Sequence, residues 1–198
     1  MLQKLSFILL ACFGCTSLSQ AQETCIIEGT FSNTKLCHGD AHIQKVYLNR
    51  MNEMELPILV DSATVNGNSF VIRHQLKDGH QSEIYLLTGF DNGNTAFFVE
   101  PGTVKIHMDA AYPTGAHATG TPTNDLYEAY KRIGEQCTRI QMDSLRQFSQ
   151  IHPVAWIDSK EGIASRTRIG GEAKFKTHLA RMRFLLEHND SPLSPLMM

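Results

Sequence analysis

The sequence predicts a mainly β protein with a helical appendage: an antiparallel β-sandwich of about seven or eight strands, followed by two or three helices. Short apolar runs rich in Val, Ile, Thr and aromatic residues alternate with turn residues from Cys25 to about Thr119, as in sandwiches and barrels. Two of these runs flank Asn66-Gly67, the strongest short-range signal for a tight hairpin. After Pro122 the apolar residues recur every three or four positions, which indicates amphipathic helix. We expect a sandwich domain over residues 22–120 and a helical segment over residues 121–198.

The predicted strands follow the apolar runs in chain order. They cover residues 25–31, 42–48, 56–65, 69–76, 82–88, 95–100 and 103–108, with 116–119 as a short eighth strand. We expect the third and fourth strands to pair as a hairpin around Asn66-Gly67, because a type I′ turn needs two residues that tolerate positive φ. Pro101-Gly102 predicts a type II turn, since Pro fixes φ at the second position and Gly supplies positive φ at the third.

The helical pattern begins at Pro122, with Thr121 or Thr123 as the cap, and ends before Pro153. Its apolar stripe consists of Leu126, Tyr130, Ile133, Cys137 and Ile140, continued by Leu145 and Phe148. A weaker helix over residues 158–169 is predicted to break at Gly170-Gly171. A third helix, over residues 172–188, places four apolar residues on one face: Phe175, Leu179, Met182 and Leu186.

The first 21 residues predict a secretory signal peptide: Lys4, an apolar run over 5–13 and a small-residue cleavage site at Ser19-Gln20-Ala21. An alternative is that Leu9-Leu10-Ala11-Cys12 is a lipoprotein processing box, which would make Cys12 the lipidated first residue. No other segment reaches the ~18 apolar residues that a membrane-spanning helix needs. We therefore expect an exported protein of the periplasm or cell envelope, starting near Gln22.

The distribution of charge limits the kinds of binding partner, and the cysteine content allows one disulfide bond. Residues 22–121 hold 6 basic and 11 acidic residues, net −5, and residues 122–198 hold 11 basic and 9 acidic residues, net +2. The acidic balance argues against a nucleic-acid partner, and the small basic excess is typical of a solvated helix face. Export permits a disulfide, and Cys25 and Cys37 are the preferred pair because they lie on either side of a short loop. Cys137 is interpreted as a small buried hydrophobe in the helical pattern.

A series of short motifs runs in order through the strands and into the first helix. It consists of Val46-Tyr47-Leu48; Asp61-Ser62-Ala63 with Val65, Gly67 and Phe70; Phe97-Phe98 with Glu100-Pro101-Gly102 and Ile106; and Gly120 with Asn124-Asp125 and Tyr127. This series resembles the N-terminal domain of unknown function that precedes TlpA-like thioredoxin-fold thiol–disulfide oxidoreductases in Gram-negative envelopes. The resemblance implies a β-sandwich, then a helical segment and then a thioredoxin domain. Residues 184–193 are similar to the end of the family's helical segment.

The redox pair of that family is absent from the part of the sequence that follows the predicted signal peptide. It is a Cys-x-x-Cys pair, usually after a Trp, where a helix N-terminus lowers the thiol pKa. The part from Gln22 onward has no such pair, and the only Trp, Trp156, is followed by Ile157-Asp158. We therefore expect no catalytic residue, no cofactor and no metal. Because no thioredoxin fold can follow within the 198 residues, we expect either a stand-alone accessory domain or a product cut off before its enzyme domain.

Four motifs contain residue types found in functional sites, but each has a simpler structural interpretation. The run Cys37-His38-Gly39-Asp40-Ala41-His42, with Cys25, offers metal ligands but is better explained as a solvated loop. Asp61-Ser62 lacks a nucleophile-elbow motif and fits a strand beside a turn. Gly170-Gly171-Glu172 could bind an anion at a helix N-terminus, although a helix break is the preferred interpretation. His74 and His80 are predicted to be exposed polar residues.

The function predicted from sequence is a non-catalytic envelope module with an interaction or scaffold role and an unknown protein partner. One alternative is a sandwich that binds a glycan or peptide on a sheet face, with aromatic contacts from Tyr47, Tyr85, Phe97 and Phe98. A further alternative is an inactive remnant of a thiol–disulfide oxidoreductase, which predicts a poorly stable helical part.

Overall fold

The computed structural model describes residues 23–54, 56–77, 79 and 82–197, and it confirms the predicted fold class. Two four-stranded sheets face each other, and four helices follow them in the chain. The predicted signal peptide, the alternative lipidation site at Cys12 and His80 lie outside the described residues.

Eight strands form the two sheets, close to the predicted positions. They are β1 Thr24–Asn33, β2 Lys45–Met51, β3 Pro57–Thr64, β4 Ser69–Gln75, β5 Glu83–Thr88, β6 Thr95–Val99, β7 Gly102–Asp109 and β8 His117–Thr119. The first sheet has the order β4-β1-β7-β8 and the second the order β3-β2-β5-β6. All pairs are antiparallel as predicted except β1 with β7, which run parallel. That exception is possible because the chain between β1 and β7 passes through both sheets, so no hairpin fixes their direction.

The turn predicted at Asn66-Gly67 is present, but the predicted pairing of its arms is wrong. Asn66 and Ser69 exchange two backbone hydrogen bonds of 2.8 and 3.1 Å, so the turn residues are Gly67 and Asn68, one position later than expected. Gly67 supplies the positive φ, 62°. Beyond this turn β3 pairs with β2 and β4 pairs with β1, in different sheets. The turn is therefore a crossing between the two layers.

The core lies between the sheets and is built by alternation along each strand. On β1, Cys25, Ile27 and Phe31 point inward and are at most 3% exposed. Gly29 occupies the remaining inward position because the Phe70 ring takes its space: a Cβ there would lie 1.9 Å from that ring. Burying each large apolar side chain contributes about 1.5–3 kcal/mol, which makes this layer the main source of stability.

The helices are α1 Pro122–Ile151, α2 Val154–Ile157, α3 Lys160–Glu187 and α4 Leu193–Met197. The predicted start of α1 at Pro122 and its end before Pro153 are confirmed. The predicted break at Gly170-Gly171 is wrong, because both glycines lie inside α3. Gly170 faces α1, where a Cβ would make an ordinary van der Waals contact of 3.4 Å with the side chain of Gln141.

The two long helices form an antiparallel hairpin that is tightly packed only at the sandwich end. There Tyr130 and Phe184 have ring centroids 6.2 Å apart, and Leu185 is 1% exposed. At the far end His152 and Trp156 stack at 4.0 Å across the α1–α2 connection. Between residues 135 and 184 only Gly162 is buried, and Cys137, which was expected to be buried, is half-buried. The distal half of the hairpin therefore has almost no core.

Candidate functional site

The first two turns of α1 lie across the edges of both sheets. Strand β6 ends the second sheet and β8 ends the first, so each leaves backbone N–H and C=O groups without a neighbouring strand. Such groups need partners when they are buried. Side chains of α1 supply those partners on both strands, and we call this set of contacts the junction.

Asn124 pairs with the edge of β6. Its Oδ1 accepts a hydrogen bond of 2.9 Å from the Phe98 N–H, and its Nδ2 donates to the Phe98 carbonyl at 2.7 Å. The same Nδ2 donates to Thr121 Oγ1 at 2.8 Å. The Asn124 side chain is fully buried. Its amide therefore takes the place of a peptide unit of a fifth strand.

Glu128 pairs with the edge of β8. Its Oε1 accepts from the Ala118 N–H at 3.0 Å, and its Oε2 lies 2.9 Å from His117 Nδ1. Lys131 forms an ion pair with the same carboxylate and donates to the Ala116 carbonyl at 2.8 Å. Burial would raise the pKa of Glu128, but hydrogen bonds from Lys131, His117 and the backbone of β8 outweigh it and hold that pKa below its ordinary value.

Glu100 caps the start of α1 from the sandwich side. Its Oε1 accepts from the Thr123 N–H at 2.9 Å, and its Oε2 accepts from Thr123 Oγ1 and Ser82 Oγ, both at 2.6 Å. Thr121 is at the N-cap position, as one of the two predicted caps, but its side chain makes no capping hydrogen bond. Burial would raise the pKa of Glu100, but hydrogen bonds from the neighbouring hydroxyls and from the Thr123 N–H outweigh it and hold that pKa below its ordinary value. A carboxylate at the N-terminus of α1 also interacts favourably with the helix dipole.

The junction has a structural role, since the side chains of Glu100, Asn124 and Glu128 are all hydrogen bonded within it. Sequence reasoning placed Glu100 and Asn124 only in the motif series and missed Glu128. The available signal was the spacing of Asn124, Glu128 and Lys131, which puts three polar residues on one helix face beside the apolar stripe.

The predicted disulfide between Cys25 and Cys37 is absent, and both thiols are free. Cys25 is at the start of β1 opposite Gly102, whereas Cys37 lies beyond the end of this ten-residue strand. A strand of that length spans about 30 Å, and a disulfide needs Cα atoms within about 7 Å. Burial raises the pKa of the Cys25 thiol, which further reduces its reactivity. The predicted strand over residues 25–31 already separates Cys25 from the loop that holds Cys37, and the observed strand continues to Asn33.

The loop weighed as a metal site is held by other contacts. The backbone N–H groups of Cys37 and His38 donate to the Asp91 carboxylate at 3.1 and 2.8 Å. Asp40 pairs with Lys35 at 2.7 Å on the exposed surface. Within the part of the chain that the structure describes, no three His, Cys, Asp or Glu residues are grouped as metal ligands.

Asp61 and Ser62 do not form a hydrolase pair. Asp61 Oδ1 accepts from the Ser62 backbone N–H at 2.7 Å, and as consecutive strand residues their side chains point to opposite faces. His74 approaches Asp61, with Nδ1 3.7 Å from Oδ2, and its side chain is only 16% exposed, so the prediction that His74 is exposed was wrong. Gly170-Gly171 is no anion site either, because no helix begins there.

The aromatic residues considered for ligand binding serve the core. Tyr85, Phe97 and Phe98 are at most 4% exposed, and Phe98 packs against Tyr127 with ring centroids 5.6 Å apart. Tyr47 is half-buried, with the Lys45 ammonium 5.3 Å from its ring centroid. An aromatic sheet face for a glycan or peptide is therefore not formed by these four residues.

The fold and the junction define a two-layer β-sandwich fastened to a helical hairpin. The chain belongs to the family of the domain of unknown function DUF4369, whose model matches residues 25–127. The match covers the sandwich and ends in the second turn of α1, after Asn124 and before Glu128. No curated protein and no solved structure matches the chain significantly. Among the described residues, none of the helices has the length and hydropathy needed to cross a membrane.

Replacing Asn124 tests the pairing of α1 with β6. Asn124→Ala leaves the N–H and C=O of Phe98 buried and unpaired, and we expect the free energy of unfolding to fall by about 2–4 kcal/mol. Asn94→Ala is the matched control: its side chain is exposed, and the change should stay within about 0.5 kcal/mol. Urea unfolding followed by circular dichroism measures both. Equal effects for the two variants would contradict the assigned role of Asn124.

Acid should weaken the junction. The folded-state pKa values of Glu100 and Glu128 lie below the ordinary 4.5, so their stabilising effect is complete above that pH and is lost as the pH falls below it. We expect the free energy of unfolding to drop steeply between about pH 5 and pH 3, and the drop to be smaller in Glu128→Gln. Glu135→Gln, at an exposed position of the same helix, should keep the full drop. Urea titrations across this pH range decide, and a stability that increases on acidification would contradict the assignment.

Proposed function

We propose that this protein is a non-catalytic module of the bacterial cell envelope with an interaction or scaffold role, related to the accessory domain of thiol–disulfide oxidoreductases. The observation that carries the proposal is that the buried polar side chains hold the structure together. Glu100, Asn124 and Glu128 are all committed to fastening α1 across the sheet edges. A carboxylate whose oxygens already accept two or more hydrogen bonds is poorly suited to move protons or attack a substrate.

The helical hairpin supports an interaction role. Helices of about 30 residues are stable in proteins mainly through the packing of an apolar face. From residue 135 to residue 184 that packing buries only Gly162, and large apolar side chains such as Ile140 and Ile163 are 57% and 49% exposed. A projecting element of this kind is typical of a surface that is covered in a complex.

The relation to thiol–disulfide oxidoreductases rests on the ordered motifs of the sequence, since the family that matches residues 25–127 is itself of unknown function. The location in the envelope rests on the signal-peptide pattern of the first 21 residues. Redox chemistry by the chain itself has no support, because Cys25 is buried and Cys37 and Cys137 are isolated from each other in sequence.

The proposal predicts no disulfide-reductase activity. With dithiothreitol as the electron source, the purified protein should not accelerate the reduction of insulin disulfides beyond the uncatalysed rate, because a fast exchange needs an activated thiolate with a resolving partner. The Cys37→Ser variant, which lacks the exposed thiol, should give the same trace as the unmodified chain. Acceleration at a thioredoxin-like rate that Cys37→Ser abolishes would overturn the proposal.

Intact mass of the protein isolated from its native envelope tests the export and the cysteines together. We expect a chain that starts near Gln22 and gains three alkyl groups when alkylated after unfolding, since all three described thiols are free. A lipid on Cys12 would replace the soluble location with a membrane anchor. A start at Met1 would contradict export, and a single alkylation would contradict the free thiols.

A further inference from the structure

Two histidines lie side by side on the outer face of the first sheet. His107 of β7 and His117 of β8 are direct partners in the antiparallel register of these strands. Directly opposite residues of such a pair have Cβ atoms about 5 Å apart and share one face of the sheet. Because the adjacent residues Ile106 and Ala118 are buried in the core, both histidines point outward, and both are exposed.

One ring nitrogen of each histidine is held by a neighbouring side chain. His117 Nδ1 lies 2.9 Å from Glu128 Oε2, and since a carboxylate oxygen accepts, the proton of the neutral ring is on Nδ1. His107 Nδ1 lies 3.1 Å from Thr30 Oγ1, which can accept in the same way. Within the described part of the chain, no hydrogen bond engages Nε2 of either ring. Each ring can therefore present the lone pair of Nε2 as a metal ligand.

The two neighbours lie on opposite sides of the histidine pair. Thr30 belongs to β1, which pairs with β7 on the side away from β8, and Glu128 belongs to α1, which lies along the other edge of β8. Nδ1 and Nε2 are on opposite edges of an imidazole ring. A hydrogen bond that draws Nδ1 toward the outside of the pair therefore turns Nε2 toward the inside, on both rings.

This arrangement fits a transition-metal ion. Imidazole nitrogens bind Zn²⁺ at about 2.0–2.1 Å, so two of them on one ion lie about 3–4 Å apart. Rings on Cβ atoms about 5 Å apart can reach that separation, because rotation about the Cβ–Cγ bond of histidine is soft. A metal-bound histidine also usually donates its other N–H to an oxygen acceptor, which fixes the tautomer and raises the basicity of the ligating nitrogen.

The surrounding charges do not oppose a cation. Lys105 and Asp109 lie two residues before and two residues after His107 on the same face of β7, so their charges offset each other. On the other side Glu128 pairs with Lys131, and the hydrogen bonds that hold the pKa of Glu128 below its ordinary value keep this carboxylate ionised beside His117.

We propose that His107 and His117 bind one divalent transition-metal ion through their Nε2 atoms, with water in the remaining positions. Among the first-row divalent ions, Cu²⁺ has the highest general affinity for nitrogen ligands. Two protein ligands are fewer than the groups of three of which the described residues contain none. The sequence analysis missed this pair because the histidines become neighbours only through the pairing of β7 with β8. The site goes beyond the proposed envelope role, and metal binding and insulin reduction are separate readouts, so either proposal can fail alone.

Electron paramagnetic resonance with Cu²⁺ tests the proposal on the mature chain. Its accessible thiols are alkylated first, because soft thiolates would bind copper as Cu(I). At one equivalent of Cu²⁺ we expect a single species with two coordinated imidazole nitrogens. His107→Ala and His117→Ala should each lose one of them, and competition with glycine should show an affinity at least about tenfold weaker, since even the loss of an outer partner has that effect.

Thr30→Val tests the outer partner of His107. The exchange keeps the shape of the side chain and removes the hydroxyl at an exposed strand position. We expect the Cu²⁺ affinity to fall roughly tenfold while both nitrogens stay coordinated. A hydrogen bond with a merely structural role would leave the affinity unchanged.

His178→Ala is the matched control, because it removes an exposed histidine from α3. It should keep two coordinated nitrogens and the affinity of the unmodified chain. Circular dichroism confirms that each variant is folded.

Three results would overturn the proposal: fewer than two coordinated nitrogens in the unmodified chain, two nitrogens retained in both strand variants, or an equal loss in His178→Ala. The first and third of these would mark adventitious binding by scattered histidines only. Two nitrogens in the unmodified chain, with one lost in either strand variant and both kept in the control, would establish the site.

Discussion

The structure depends on the pairing of one helix with two sheet edges. A sandwich of two open sheets exposes four edge strands, and each buried backbone group on an edge needs a partner. Asn124 supplies those partners on β6 and Glu128 supplies them on β8, from positions four residues apart. Since both contacts come from the same helix, the position of α1 is fixed relative to both layers at once. The position of α1 in turn sets the direction in which the helical hairpin leaves the sandwich.

The same constraint explains why the two ends of the helical hairpin differ. Near the sandwich, α1 and α3 share a small apolar cluster with β6, in which Phe98, Leu185 and Leu193 are at most 1% exposed. Further out the hairpin has only helix-to-helix contacts and buries almost nothing. Local opening free energies follow the density of buried contacts, so amide exchange should be slow in the first turns of α1 and faster toward Trp156.

The sequence predicted elements well and their partners poorly. Every strand and the start of α1 could be recognised because alternation and helical spacing are local patterns. The destination of β3 and β4 could not, since the turn at Gly67 is compatible with a hairpin and with a crossing between layers. Glu128 looked like one more charge on a solvated helix, and only the edge of β8 opposite it makes it a buried partner. The disulfide failed for a related reason, because separation along a strand was underestimated from separation in sequence.

The parallel pairing of β1 with β7 has a consequence for the order of folding. Ser32 and Met108, which are hydrogen bonded across this pair, are 76 residues apart in the chain. Strand β1 pairs with β4 on one side and β7 on the other, and the strands of the second sheet lie between β1 and β7 in sequence. Folding slows as such long-range contacts replace local ones, because loop closure has to precede the contacts that reward it. The first residues of the sandwich to emerge during synthesis are therefore among the last to acquire their neighbours.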